Sequence, residues 1–88
     1  PSGIVTELFN SEIMIYPNPC DDYFTLETTN DVNRVEIYNI QGALVYSLDE
    51  NFTGSIVINT VDFCSGMYFV KLYSEDTKVP ASKKLIVK

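Results

Sequence analysis

The sequence predicts an all-β domain, a seven-stranded immunoglobulin-like antiparallel β-sandwich. Short runs rich in branched and aromatic residues recur along the chain, with six Tyr and five Phe among 88 residues, and such side chains suit a pleated surface better than a helix. Turn-forming residues punctuate those runs at regular intervals. No segment keeps the apolar period of a helix. A small open barrel is the alternative closure for the same strands.

Residues 1–12, PSGIVTELFNSE, mix small, polar and acidic types and read as a linker from a preceding domain, with Ile4 to Leu8 as a candidate short strand. The absence of an initiator Met and of a signal peptide reads as a piece of a longer protein. Ile13 to Tyr16 is the first clear strand. Pro17, Asn18 and Pro19 stop it, because proline donates nothing to a ladder and fixes φ. Tyr23 to Thr28 is the second strand, with Phe24 and Leu26 on one face and Tyr23, Thr25 and Glu27 on the other. Thr29, Asn30 and Asp31 read as a turn.

Val35 to Ile40 follows, Val35 and Ile37 opposite Glu36 and Tyr38. Asn39 to Gly42 is a tight turn in which Gly42 takes positive φ, and Ala43 to Leu48 pairs back at hairpin distance. Asp49 to Gly54 reads as a loop, and Ser55 to Asn59 as the fifth strand with Ile56 and Ile58 on one side. Thr60 to Gly66 is a compact connection. Met67 to Tyr73 is apolar on both faces, which predicts a central position in its sheet. Ser74 to Pro80 turns the chain into Ser82 to Lys88, with Leu85 and Val87 inward and Lys84, Ile86 and Lys88 outward.

Composition removes several function classes. Twelve acids against six bases give a formal charge of −6, which disfavours nucleic acid, whose phosphates need a cationic face. No apolar run approaches the roughly 20 residues of a membrane helix. The chain has no His, so the usual general base and the commonest metal ligand are missing, and no enzyme activity is expected. No phosphate loop is present, because the four glycines are scattered and no helix follows them. The acid pairs Asp21–Asp22, Asp49–Glu50 and Glu75–Asp76 fall in predicted turns, where acids bond nearby backbone. A calcium site would have to draw on Asp21, Asp22 and Asp62, and the solvated-turn reading already accounts for them. No cofactor is expected.

Tyrosines at 16, 23, 38, 46, 68 and 73 leave two readings, a core-closing role or an aromatic sugar-binding face. Cys20 and Cys64 also leave two. They are two small buried thiols, or one disulfide. Cys20 precedes the second strand and Cys64 follows the fifth. In an immunoglobulin-like sandwich those strands are antiparallel neighbours, so one pole holds both residues, and a bridge there would contribute ~3–4 kcal/mol. Lys83, Lys84 and Lys88 put half of the six basic residues in the last six positions, either as edge-strand lysines that discourage sheet-to-sheet pairing or as a recognition stripe.

Four segments in series carry a resemblance: Tyr16-Pro17-Asn18-Pro19; Val35 to Gly42, reading VEIYNIQG; Ser65 to Leu72, reading SGMYFVKL; and Lys83 to Lys88, reading KKLIVK. In that order they resemble the C-terminal sorting domain of the type IX (Por) secretion system of Bacteroidetes. The resemblance implies 1–12 as the linker from an upstream cargo domain and 13–88 as the sorting domain. It implies a seven-stranded sandwich that directs its cargo, fused in cis at the N-terminal side, from the periplasm through an outer-membrane translocon, and a sortase that removes the tag at the cell surface. By the same resemblance Pro17 and Pro19 belong to the opening turn, Gly66 and Tyr68 to the internal glycine–aromatic strand, and Lys83, Lys84, Leu85, Ile86, Val87 and Lys88 to the segment that the machinery reads. An open edge on that last strand would let it add to a partner's sheet or to a second copy as a homodimer. The alternative is a carbohydrate-binding or adhesive module of a surface protein.

Overall fold

The computed structural model describes residues 13–75 and 80–88. The expected linker 1–12 and its candidate strand at Ile4 to Leu8 therefore lie outside the described residues, as does part of the turn after Ser74. Among the described residues there are seven strands and no helix: β1 (Ile13–Tyr16), β2 (Tyr23–Val32), β3 (Arg34–Asn39), β4 (Leu44–Leu48), β5 (Phe52–Asn59), β6 (Gly66–Tyr73) and β7 (Ala81–Val87). They form two antiparallel sheets, one ordered β1-β2-β5 and the other β4-β3-β6-β7. The sheets pack face to face as a sandwich.

Period-2 alternation puts the apolar residues of both sheets in the space between them. Phe24, Leu26 and Ile58 come from the three-stranded sheet, and Val35, Ile37, Val70, Leu72 and Leu85 from the four-stranded one, all essentially sealed from solvent. Burying a side chain of this size contributes ~1.5–3 kcal/mol, so these positions dominate stability.

Two turn readings needed correction. Thr29 to Asp31 does not end β2. The strand runs on to Val32 through a register shift, where Thr28 pairs Gly54 and Val32 pairs Phe52. The extra residues bulge outward. Buried Thr28 accepts a bond at Oγ1 from the Asn30 amide at 3.1 Å, and Thr53 donates to the Asp31 carboxylate. The turn chemistry that the sequence displays is real, but it serves a bulge. For the same reason β5 begins at Phe52, inside the segment expected to be loop: Gly54 takes φ +102° opposite the irregularity, and Phe52 packs on the core.

The β3–β4 hairpin forms as expected. Gly42 takes φ +86°, its amide donates to the Asn39 carbonyl at 3.0 Å, and the Asn39 side chain accepts from the Gln41 and Ala43 amides. β6 is central, between β3 and β7. Its second apolar face is not buried, however: Met67 and Phe69 are over a third exposed. A central strand is covered laterally by its neighbours, and only its inner face meets the opposite sheet.

Candidate functional site

β7 closes one edge of the four-stranded sheet. Ala81, Leu85 and Val87 are buried, and Lys84 and Lys88 are exposed. Lys83 falls in the inward phase of Ala81 and Leu85 and is half-buried. The three lysines therefore do not share a face: Lys84 and Lys88 point outward, and Lys83 emerges from the seam between the sheets.

The outer edge of β7 is not open. Asn18 Nδ2 donates to the Lys84 carbonyl at 2.8 Å, and Asn18 Oδ1 accepts from the Ile86 amide at 2.9 Å. The Cys20 amide donates to the Ile86 carbonyl at 2.8 Å, and the Lys88 amide donates to the Cys20 carbonyl at 2.9 Å. Cys20 and Val87 form a parallel bridge. The Asn18 carboxamide has the donor–acceptor pair of a peptide group, and it occupies the place a neighbouring strand's peptide would take. On either side of it, Pro17 and Pro19 follow cis peptide bonds, and neither proline has an amide hydrogen to offer a further strand. The opening motif and the closing strand, 68 residues apart, thus form one structure. The expectation of an edge ready to augment a partner's sheet is overturned over Lys84 to Lys88, because four of its backbone groups are already bonded.

The lysine side chains stand differently. Among the described residues the ion pairs are Arg34–Glu36 at 2.8 Å and Arg34–Asp49 at 3.6 Å, and none involves Lys83, Lys84 or Lys88.

β3 and β6 build the centre of the same sheet's outer face around Glu36. Its carboxylate accepts from Tyr38 Oη at 2.7 Å, Tyr73 Oη at 2.8 Å and Arg34 Nε at 2.8 Å. The two phenols, aided by Arg34, hold Glu36 well below the usual carboxylate range, at about 2. The same bond, with burial, pushes the Tyr73 phenol up to about 12 and moves Tyr38 in the same direction. Lys71 Nζ lies 5.2 Å from the centroid of the Tyr38 ring, within cation–π reach.

The six tyrosines form no single platform. Tyr38 and Tyr73 face outward with their hydroxyls on Glu36. Tyr46 packs on the core, and Tyr68 is buried with its hydroxyl on the Cys64 carbonyl at 2.6 Å and its ring 5.1 Å from Phe63. Tyr16 and Tyr23 stand on the other sheet, Tyr16 donating to Glu27 at 2.6 Å. Gly66, the first residue of β6, takes φ +147°, a region that disfavours any side chain.

Both cysteines are free. β2 and β5 are the antiparallel neighbours the bridge required, with Tyr23 opposite Asn59. Cys20 is instead drawn to β7 and buried with its sulfur 3.7 Å from Thr60 Oγ1, whereas Cys64 is exposed in the loop that receives Tyr68. Sharing a pole is not enough when one thiol turns into the core and the other out of it. Among the described residues no three His, Cys, Asp or Glu side chains gather as a metal would require.

The family described as the secretion system C-terminal sorting domain matches residues 14–88. The ulvan lyase NLR42 of Nonlabens ulvanivorans is 34% identical over 77 residues, covering 86% of this chain and 14% of that enzyme. An endo-acting ulvan lyase of Formosa agariphila is 34% identical over 80 residues, covering 89% of this chain and 15% of the enzyme. Among solved structures, PorZ, an essential bacterial surface component of the type IX secretion system of Porphyromonas gingivalis, superimposes with a TM-score of 0.73 at 26% identity, covering 99% of this chain and 12% of PorZ. The chain thus spans about one seventh of the curated relatives it matches.

Proposed function

Because this chain belongs to the secretion system C-terminal sorting domain family and is a sorting signal of type IX secretion, we propose that it is a non-catalytic address read through side chains rather than through its backbone. The observation that carries this reading is the contrast along β7, where Asn18 and Cys20 occupy the backbone edge while the Lys84 and Lys88 side chains stand unpaired among the described residues. Over Lys84 to Lys88 the occupied edge offers no strand addition, so there the outer-membrane translocon would be met by cations on an acidic body. Such charges set encounter rate and orientation more than affinity. Lys83, at the seam, adds to the field without sharing the face, and Leu85 and Val87 hold the strand. The cargo lies at the N-terminal side, the destination is the cell surface or the medium, and a sortase severs the tag upstream of β1.

The test is a secreted reporter fused to residues 1–88, expressed with and without the secretion system. Lys83→Ala/Lys84→Ala/Lys88→Ala should retain the reporter in the periplasm with the domain still folded. Normal surface display of that triple variant would refute the reading. Point substitution is preferable to truncation, since removing Leu85 and Val87 would also open the core.

A further inference from the structure

The register of the four-stranded sheet aligns residues that the sequence keeps far apart. One row crosses the outer face as Leu44, Tyr38, Phe69 and Lys84, and the next as Ser47, Glu36, Lys71 and Ser82. Met67 and Ile86 form a further outer pair, and Arg34 and Tyr73 another. Of the five basic residues among those described, Arg34, Lys71 and Lys84 stand on this face, Lys88 continues the β7 alternation beside them, and Lys83 alone lies in the other phase.

The charge on this face is not cancelled. Arg34 is spent on Glu36 and Asp49. Glu36 is spent on Arg34 and two phenols. Lys71, Lys84 and Lys88 have no ion pair among the described residues. Between the lysines lie Phe69 and Met67, each over a third exposed, and half-buried Ile86.

We propose that this outer face, centred on Phe69 and flanked by Lys71 and Lys84, is the docking surface for an acidic protein partner. The proposal rests on the sorting function above and assigns its partner a chemistry. Four properties of the molecule favour that occupant. Exposed aromatic and Met side chains are the types enriched at protein interfaces, and the unpaired lysines beside them form a polar rim that complements an acidic surface. The hydroxyl protons of Tyr38 and Tyr73 are donated to Glu36, so neither phenol has a donor left for a sugar. The net charge of −6 disfavours a densely charged polyanion such as nucleic acid, and because salt screens distant charges, a protein surface in contact with this patch meets chiefly its unpaired lysines. The patch is also pre-ordered: Glu36 fixes Tyr38, and the Tyr38 ring lies under Lys71, which lowers the entropy lost on docking.

The experiment keeps the full reporter fusion and uses a benzophenone amino acid as the probe, placed at Phe69 or, on the opposite sheet, at Val57. Photolysis in secreting cells should give a protein adduct from position 69 and none from 57, with the crosslinked peptide rich in Asp and Glu. Lys71→Glu/Lys84→Glu should abolish the adduct and lower export at least about tenfold, the factor that corresponds to ~1.4 kcal/mol of lost binding. Lys71→Arg/Lys84→Arg should retain both. If the charge reversal unfolds the domain, Lys71→Gln/Lys84→Gln carries the same test.

An adduct to glycan or lipid, equal adducts from both faces, or wild-type export of the folded reversal would each overturn the proposal. Failure of the unmodified fusion to leave the cell would instead sink the sorting reading, so the two failures are distinguishable.

Discussion

The outer face of the three-stranded sheet crosses Tyr16, Thr25 and Val57 in one row and Met14, Glu27 and Ser55 in the next, and its strands contain neither Lys nor Arg. The outer face of the four-stranded sheet crosses Leu44, Tyr38, Phe69 and Lys84 and carries most of the described basic residues. Both faces hold a carboxylate bonded to tyrosine. Glu27 accepts from one exposed phenol, whereas Glu36 is nearly buried under two phenols and an arginine. The lesson is that shared residue types do not make shared chemistry. On one sheet the tyrosine–acid pair is solvated, and on the other it is a hub in which Arg34 and two phenols occupy the acid of the strand face and leave the lysines without an ion pair among the described residues.

The largest effect expected is within β7 itself. Leu85→Ala should cost ~3 kcal/mol by emptying part of the core, lowering the melting temperature by well over ~10 °C. Lys84→Ala should change stability by no more than the ~0.5 kcal/mol typical of surface changes. Comparable losses for the two would mean that β7 does not divide into a buried and a presented side.

Next comes the contrast between the two acids. Glu36→Gln should cost on the order of 2 kcal/mol, as expected for charge-assisted bonds lost in a sheltered site. Glu27→Gln should change stability by less than about 0.5 kcal/mol. The sign of the pH dependence follows from the depressed value. Glu36 is at about 2 when folded, against 4.5 ordinarily. Its contribution is therefore complete above about pH 4.5 and is lost as pH falls through 2. At the alkaline end the raised Tyr73 phenol loses the same bond as pH rises from 10 through about 12. Denaturant midpoints across pH should show both flanks in the wild type and lose the acid flank in Glu36→Gln. An acid flank that persists unchanged in that variant would displace Glu36 from the centre of this face.

A smaller change tests the closed edge. Asn18→Ala removes two bonds and exposes the Lys84 carbonyl and the Ile86 amide. It should cost about 1 kcal/mol, and sedimentation should detect self-association with rising concentration. A variant that stays monomeric at every concentration would show that the side chain is not what guards the strand.

The smallest effect is chemical. A maleimide should label Cys64 in the native domain and reach Cys20 only after unfolding, with no mass change on reduction. Any mass change on reduction would restore the bridge.

The seven strands, their facing and the β3–β4 hairpin were legible because each depends on a signal of a few residues: alternation, a Pro-Asn-Pro stop, a glycine before a second apolar run. The boundaries at Asp31 and Phe52 were not, since turn chemistry in sequence does not say whether the chain will turn or bulge; the partner strand decides. The missing bridge has the same cause, because topology brought the two cysteines to one pole and only packing set the direction of each thiol.

What the sequence by itself determined is therefore the sandwich, its inner faces, the missing imidazole chemistry and the four motifs of a sorting domain. What only the tertiary structure decided is how distant motifs combine. Asn18 becomes the missing neighbour of β7, and Arg34, Lys71 and Lys84 converge on one face because the strand order β4-β3-β6-β7 sets them side by side. The reason is that alternation is written locally, whereas sheet order and register are chosen by the whole core, and surface chemistry is inherited from that choice.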